Sequence, residues 1–241
     1  MGTCTRGPGK VETVARNIGF IVEDQVKRWQ IEHREKGKGE HGEYVPPPVI
    51  ALSNQVASAG LPVAQKVGEL LGIPVYDREI VEHIATTEKV HVEVVDSLDE
   101  KSQSRVDDYV LNLFRERNFD QSDYVRALTH TITSLWAHGS CVMIGRGASH
   151  IVWRKRLLAV RMVAPYAQRV HRAQDLLKLD KAAAQKYIQR TDAERAAFIR
   201  RYFAKDIDDP VNYDMVLNSA GLDIDRMARL VVAAYREKFG E

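Results

Sequence analysis

The sequence predicts an α/β protein built on five parallel strands, with an extra helix ahead of them. Two observations predict this. From residue 49 onward, short apolar runs alternate with longer stretches of helical periodicity, and strands that alternate with helices join in parallel. The runs are brief and rich in Val, Ile and Leu, as strands buried on both faces are. No internal repeat is present.

Residues 1–10 are small and polar, and an ordered element is not expected there. Val14, Ile18, Ile21, Val22, Val26 and Trp29 then recur at helical spacing, which predicts an amphipathic helix over 14–29. An isolated helix of this length is marginal, so its stripe has to dock on the main domain, on a second copy as a homodimer, or on a partner. "KGKGEHGEYVPPP" (36–48) reads as a linker, first flexible and then stiff. It divides an N-terminal segment, 1–48, from a main domain, 49–241.

The strand candidates are "VIALS" (49–53), "IPVYD" (73–77), "CVMIGRG" (141–147), "LLAVRMVA" (157–164) and "YDMVLNS" (213–219). A helix over 61–72 carries Val63, Val67, Leu70 and Leu71 on one stripe and stops at Gly72. Further helices are expected from Arg78, over 100–118, 121–138, 166–178 and 180–203, and finally over 223–239.

Composition excludes several functions. The 35 basic and 33 acidic residues leave a net charge of +2, whereas a dedicated nucleic-acid binder carries a basic excess. No apolar run approaches the ~18 residues of a membrane span, and the N-terminus lacks a signal-peptide core. "MGTCTR" fails as a myristoylation signal because Arg6 stands where Ser or Thr is required. Cys4 and Cys141 have no metal-ligand spacing and read as free thiols in a reducing, cytoplasmic setting. The eight histidines are scattered and read as structural or surface groups.

Ligands of parallel α/β sheets sit beyond the carboxyl ends of the strands. Those ends carry "SNQVASAG", "YDRE", "GRG", "APYAQR" and "NSAG". The first lies where a strand–loop–helix phosphate site would be. Such loops work through glycines that let N–H groups curl around phosphate, a helix N-terminus, and a lysine. Aligned on G-x-x-x-x-G-K-[ST], Asn54 and Ala59 replace the glycines, Gly60 the lysine and Leu61 the hydroxyl residue. The backbone outline remains and the cation does not. Lys66 is a candidate replacement, although it lies beyond the loop.

The run from 49 to 219 resembles the cytidylate kinase-like family of divergent P-loop nucleoside monophosphate kinases. The resemblance rests on "LSNQVASAGLPVA", "GIPVYDREI", "IGRG", "RTDAERAAFIRRYFAKD" and "NYDMVLNS", in that order. It implies a five-stranded parallel sheet sandwiched by helices, with a helical lid over about 166–205. It also implies transfer of the ATP γ-phosphate, with Mg²⁺, to CMP or dCMP. The family keeps an arginine where Leu61 stands, another where Asn54 stands, and glycines at Ala57 and Ala59.

Bidentate arginines suit phosphoryl transfer. The resemblance assigns Ser58, Ala59, Gly60 and Leu61 to the donor phosphates. It assigns Arg146, Arg190 and Asp192 to the acceptor nucleotide, and Arg195, Arg200 and Arg169 to the phosphate in transfer. Arg201 competes with Arg200, and Arg172 accompanies Arg169 one turn on. Asp77 is either an acceptor ligand or a helix N-cap. The rival expectation is a catalytically impaired nucleotide-binding or interaction module, favoured by the loop's missing cation. A third is an oligomeric scaffold using the first helix.

Overall fold

Strand β1 (Val49–Asn54) is the centre of the molecule. The computed structural model describes residues 18–36, 45–117 and 119–240. The tail with Cys4 and Arg6, the residue Val14 and the glycine-rich part of the linker lie outside them. β1 pairs in parallel with β3 (Cys141–Ile144) on one side and β4 (Leu157–Val163) on the other. β2 (Val75–Tyr76) and β5 (Met215–Asn218) complete the sheet in the order β2-β3-β1-β4-β5. All five carboxyl ends therefore open on one edge.

The helices are α1 (Ile18–Lys36), α2 (Gly60–Leu71), α3 (Arg78–Thr86), α4 (Glu88–Asp96), α5 (Glu100–Glu116), α6 (Asp123–Ala137), α7 (Ala148–Ile151), α8 (Tyr166–Leu177), α9 (Lys181–Phe203) and α10 (Ile224–Phe239). The helix expected from Arg78 ends at Thr86. Thr87 is extended (φ −109°, ψ 99°), and α4 starts after it. The four-residue α7 sits behind the third strand run, where no helix is expected.

The two-residue period of a strand sorts the core into two layers. Val49 and Ala51 of β1 face one layer, with α3, α6 and α7. Ile50 and Leu52 face the other, with α2 and α10. Helices α8 and α9 share a smaller core of Val170, Ala173, Ala184 and Ile188, into which Val56 inserts. The lid thus packs on the loop that follows β1.

Helix α1 buries Val22, Val26 and Trp29 in the same core as α3 and α6. The Trp29 ring stacks on His138 at 3.6 Å. Of the three docking options, the structure shows Val22, Val26 and Trp29 of the stripe engaged by the chain's own domain, while Ile21 is exposed. Downstream, Pro47 is tied down: its carbonyl accepts from Trp136 Nε1 at 2.7 Å.

Candidate functional site

The loop after β1 keeps the shape of a phosphate cradle without its glycines. Ala57 and Ala59 both adopt left-handed backbone, at φ 59° and 64°. That conformation costs an L-residue about 1 kcal/mol, and a glycine would adopt it freely. Ser58 is fully buried. Its hydroxyl lies 2.8 Å from the Gln55 carbonyl and 3.1 Å from that of Met162, and its N–H bonds Gln55 O. Ser58 therefore anchors the loop to β4 and points inward. Gly60 opens α2, and a Cβ there would lie 2.5 Å from Asn54 Cβ. Only glycine admits that close approach.

Val63 N–H closes onto Ala59 O, and Pro62 has no N–H. The N–H groups of Ala57, Ala59, Gly60 and Leu61 have no hydrogen-bond partner among the described residues. Orphan N–H groups at a helix start, with the positive end of its dipole, form an anion site.

The cations come from the lid. Arg195 Nη1 donates to Asn54 O at 2.7 Å, and Arg172 Nη1 to Ala57 O at 3.4 Å. Arg172 also bonds Ser219 through both terminal nitrogens, at 2.7 and 2.8 Å. Arg169, buried, reaches Val56 O at 3.5 Å and pairs with Asp192. The Asp192 carboxylate accepts from Val56 N–H at 2.9 Å. A carboxylate from α9 thus occupies one N–H of the loop after β1. Lys66 stands elsewhere: its ammonium pairs with Glu69 at 3.0 Å and approaches Asp225 at 3.9 Å.

Beside the loop, a cleft of about 1000 Å³ opens at the carboxyl ends of β1, β2 and β3. Arg78, Arg146 and Arg195 line it. Arg146 has left-handed backbone (φ 50°) between Gly145 and Gly147. Its Nε lies 2.7 Å from Glu82, which also accepts from the Tyr124 hydroxyl at 2.9 Å, and its guanidinium lies over the Phe198 ring. Burial lowers the pKa of both Arg146 and Arg195, and the nearby Arg78 charge pushes the same way. Burial also drives the Tyr124 phenol up to about 12. Desolvated guanidinium groups with fixed forks are suited to a phosphate dianion.

Asp77 combines both of its expected positions. It caps α3 by accepting from Glu79 N–H at 3.0 Å and Ile80 N–H at 3.1 Å, and it lines the cleft. Asp192 lies at the loop, not on the cleft wall. Arg190 is exposed and pairs with Glu194 at 3.6 Å. Arg200 and Arg201 are exposed as well, and none of these three lines the cleft.

Sequence reasoning passed over two arginines. Arg161, in β4, is 5% exposed and donates to Ser53 Oγ and to Asp208, each at 2.7 Å. A charge inside an apolar strand run was the available signal. Arg78 opens α3, where the helix dipole disfavours a cation, and that misfit was a signal too. His83 and His150, read as structural or surface groups, both line the cleft.

A parallel five-stranded sheet, a left-handed loop running into a helix N-terminus and a lid of arginines define a P-loop kinase fold. Residues 49–221 match the model of the cytidylate kinase-like family, and the chain belongs to that family. No curated protein matches it. Among solved structures, an uncharacterized protein from Eubacterium ventriosum ATCC 27560 is similar at 16% identity and a TM-score of 0.59, covering 78% of this chain and 98% of that one. A gluconokinase from Sinorhizobium meliloti 1021 is similar at 12% identity and a TM-score of 0.45, covering 82% and 98%. Shikimate kinase from Bacteroides thetaiotaomicron follows at 13% and 0.42, covering 80% and 99%. Among the described residues, no helix is long and apolar enough to cross a membrane, and no cluster of three His, Cys, Asp or Glu could hold a metal.

Proposed function

We propose that the protein transfers the γ-phosphoryl group of ATP to a nucleoside monophosphate, CMP or dCMP. The observation that carries this reading is the set of unpartnered N–H groups at Ala57, Ala59, Gly60 and Leu61, framed by lid arginines on the loop's carbonyls. Phosphoryl transfer requires positioning and positive charge more than covalent help. In this reading the loop N–H groups hold the donor phosphates. Arg169, Arg172 and Arg195 supply the charge that a loop lysine would supply. Arg146 and Arg78 hold the acceptor phosphate, and Asp77 fixes the α3 end of the cleft.

Magnesium enters here as the ATP complex. The loop offers no hydroxyl at the position after Gly60, where Leu61 stands, and the Ser58 hydroxyl is turned to the Gln55 and Met162 carbonyls. Mg²⁺ with ATP keeps several waters and substrate oxygens as ligands, so a resident protein cage is not required.

A second reading has a specific observation in its favour. Asp192 already occupies the Val56 N–H, and the Leu61 side chain offers neither charge nor hydroxyl. A protein built this way would bind nucleotide without turnover.

The two are separated by incubating the protein with Mg-ATP and each nucleoside monophosphate in turn, following ADP and diphosphate together. Phosphorylation of CMP or dCMP, lost in Arg146→Ala, supports the kinase. Thermal stabilisation by nucleotide with no product supports the binding module. Neither effect would sink both.

A further inference from the structure

A second cavity, of about 540 Å³, lies behind the acceptor cleft. The end of α5, the segment 149–154, the end of α9 and the turn near Asn212 enclose it. Its volume falls within the range of small-molecule sites.

Its charge is one-sided. Arg117, Arg154 and Lys205 line it, and no carboxylate does among the described residues. Arg154 is neutralised by Asp214 at 2.8 Å, which Lys238 shares at 3.0 Å. Lys205 is exposed and forms no ion pair among the described residues. Asp206, next to it in the chain, accepts instead from the Asp208 N–H at 3.0 Å. Arg117 has no carboxylate partner among the described residues either. One of its terminal nitrogens is held by the His150 carbonyl, which fixes the fork and leaves its other donors available. His150 registers this field: burial first, then Lys205 and Arg117, hold its imidazole down at about 4. It faces the cavity neutral, and Ser149 adds a hydroxyl.

Like charges converging without a counter-charge repel one another, and a bound anion reverses the sign of that interaction. Phe119, Val152 and Phe203 add apolar lining, with the Arg117 guanidinium over the Phe119 ring at 5.8 Å. A bare inorganic ion would leave that apolar lining unused. We propose that this cavity is a second ligand site, separate from the acceptor cleft, that takes a small phosphate ester no larger than a mononucleotide.

The site is placed to be felt at the cleft. Ser149 and His150 line both cavities. Gly147 has left-handed backbone and packs so tightly on Phe203 that a Cβ would lie 2.2 Å from its ring. The turn carrying Arg146 therefore rests on the wall of the second cavity. An occupant there changes affinity at the cleft, and cleft ligands change its affinity by the same factor.

The test is equilibrium binding of ribose 5-phosphate to the full chain, beside inorganic phosphate and CMP. Ribose 5-phosphate is expected to bind, and Lys205→Glu to weaken it by about tenfold. Lys205→Gln should weaken it less. Arg146→Ala, in the cleft, should leave it nearly unchanged. Lys205 is exposed and forms no ion pair among the described residues, so both Lys205 variants should be neutral to folding, which thermal melting verifies. CMP going to the cleft should show the reverse pattern, so failure of the kinase reading leaves this result interpretable. Binding that ignores Lys205→Glu, that vanishes in Arg146→Ala, or that is absent at millimolar ester overturns the proposal. Inorganic phosphate binding as tightly as the ester would overturn the ester assignment.

Discussion

At the scale of single residues, the loop after β1 is a strained copy of a glycine loop. Ala57 and Ala59 hold left-handed backbone that glycine adopts freely. Replacing either by glycine should relieve about 1 kcal/mol of strain, partly offset by the freer unfolded chain. The double variant Ala57→Gly, Ala59→Gly should therefore melt a few degrees higher, and a lower melting point would contradict the strain. Asp192 predicts the opposite sign. Removing its carboxylate leaves the buried Arg169 guanidinium unpaired, at a cost of about 3 kcal/mol. Asp192→Ala should lower Tm by roughly 6–12 °C in a chain of this size.

His150 gives a pH dependence. Burial, then Lys205 and Arg117, hold its folded pKa down at about 4, against an ordinary 6.5. The unfolded chain therefore binds the proton first as pH falls. The stability it contributes is complete above pH 6.5 and is lost between 6.5 and 4. By pH 5 the loss is about 2 kcal/mol. The drop in Tm from pH 7 to pH 5 should be smaller in His150→Leu than in the wild type.

At the scale of elements, the lid and the loop are one unit. Val56 sits in the core of α8 and α9, and three lid arginines bond the loop's carbonyls. The sheet was legible in the sequence because each strand is a short apolar run between breakers. The helix of 60–71 was legible through its apolar stripe and Gly72, and those of 166–177 and 181–203 as long charged runs. The break at Thr87, whose backbone is extended between α3 and α4, was not. The loop's position could be read, but its cation could not. Arg169, Arg172 and Arg195 lie 113 or more positions from the loop atoms they bond, and linear spacing carries no trace of that meeting. Asp192 illustrates the same limit. Its motif pointed to the acceptor, while its carboxylate is hydrogen-bonded to the loop.

At the scale of the whole molecule, two faces of one sheet are covered by different sets of helices, and the cleft opens at the carboxyl ends of β1, β2 and β3. Helix α1 belongs to the first cover. Burial of Val22, Val26 and Trp29 amounts to roughly 5 kcal/mol of hydrophobic stabilisation. A chain starting at residue 45 should therefore melt far below the full protein, and an unchanged Tm would show that α1 is dispensable to the core.

In the proposed function, the loop of 54–61 is a phosphate site whose cations arrive from α8 and α9. Calorimetric titration with a non-hydrolysable Mg-ATP analogue, on the wild type and Arg172→Ala, tests this most directly. Arg172 bridges the loop carbonyl of Ala57 and the turn at Ser219. Loss of a charged hydrogen-bond donor is worth about 1.5–3 kcal/mol. The wild type should bind the analogue, and Arg172→Ala should bind it at least about tenfold more weakly at equal fold stability. Equal affinity in both proteins, or no binding to the wild type at millimolar analogue, would contradict it.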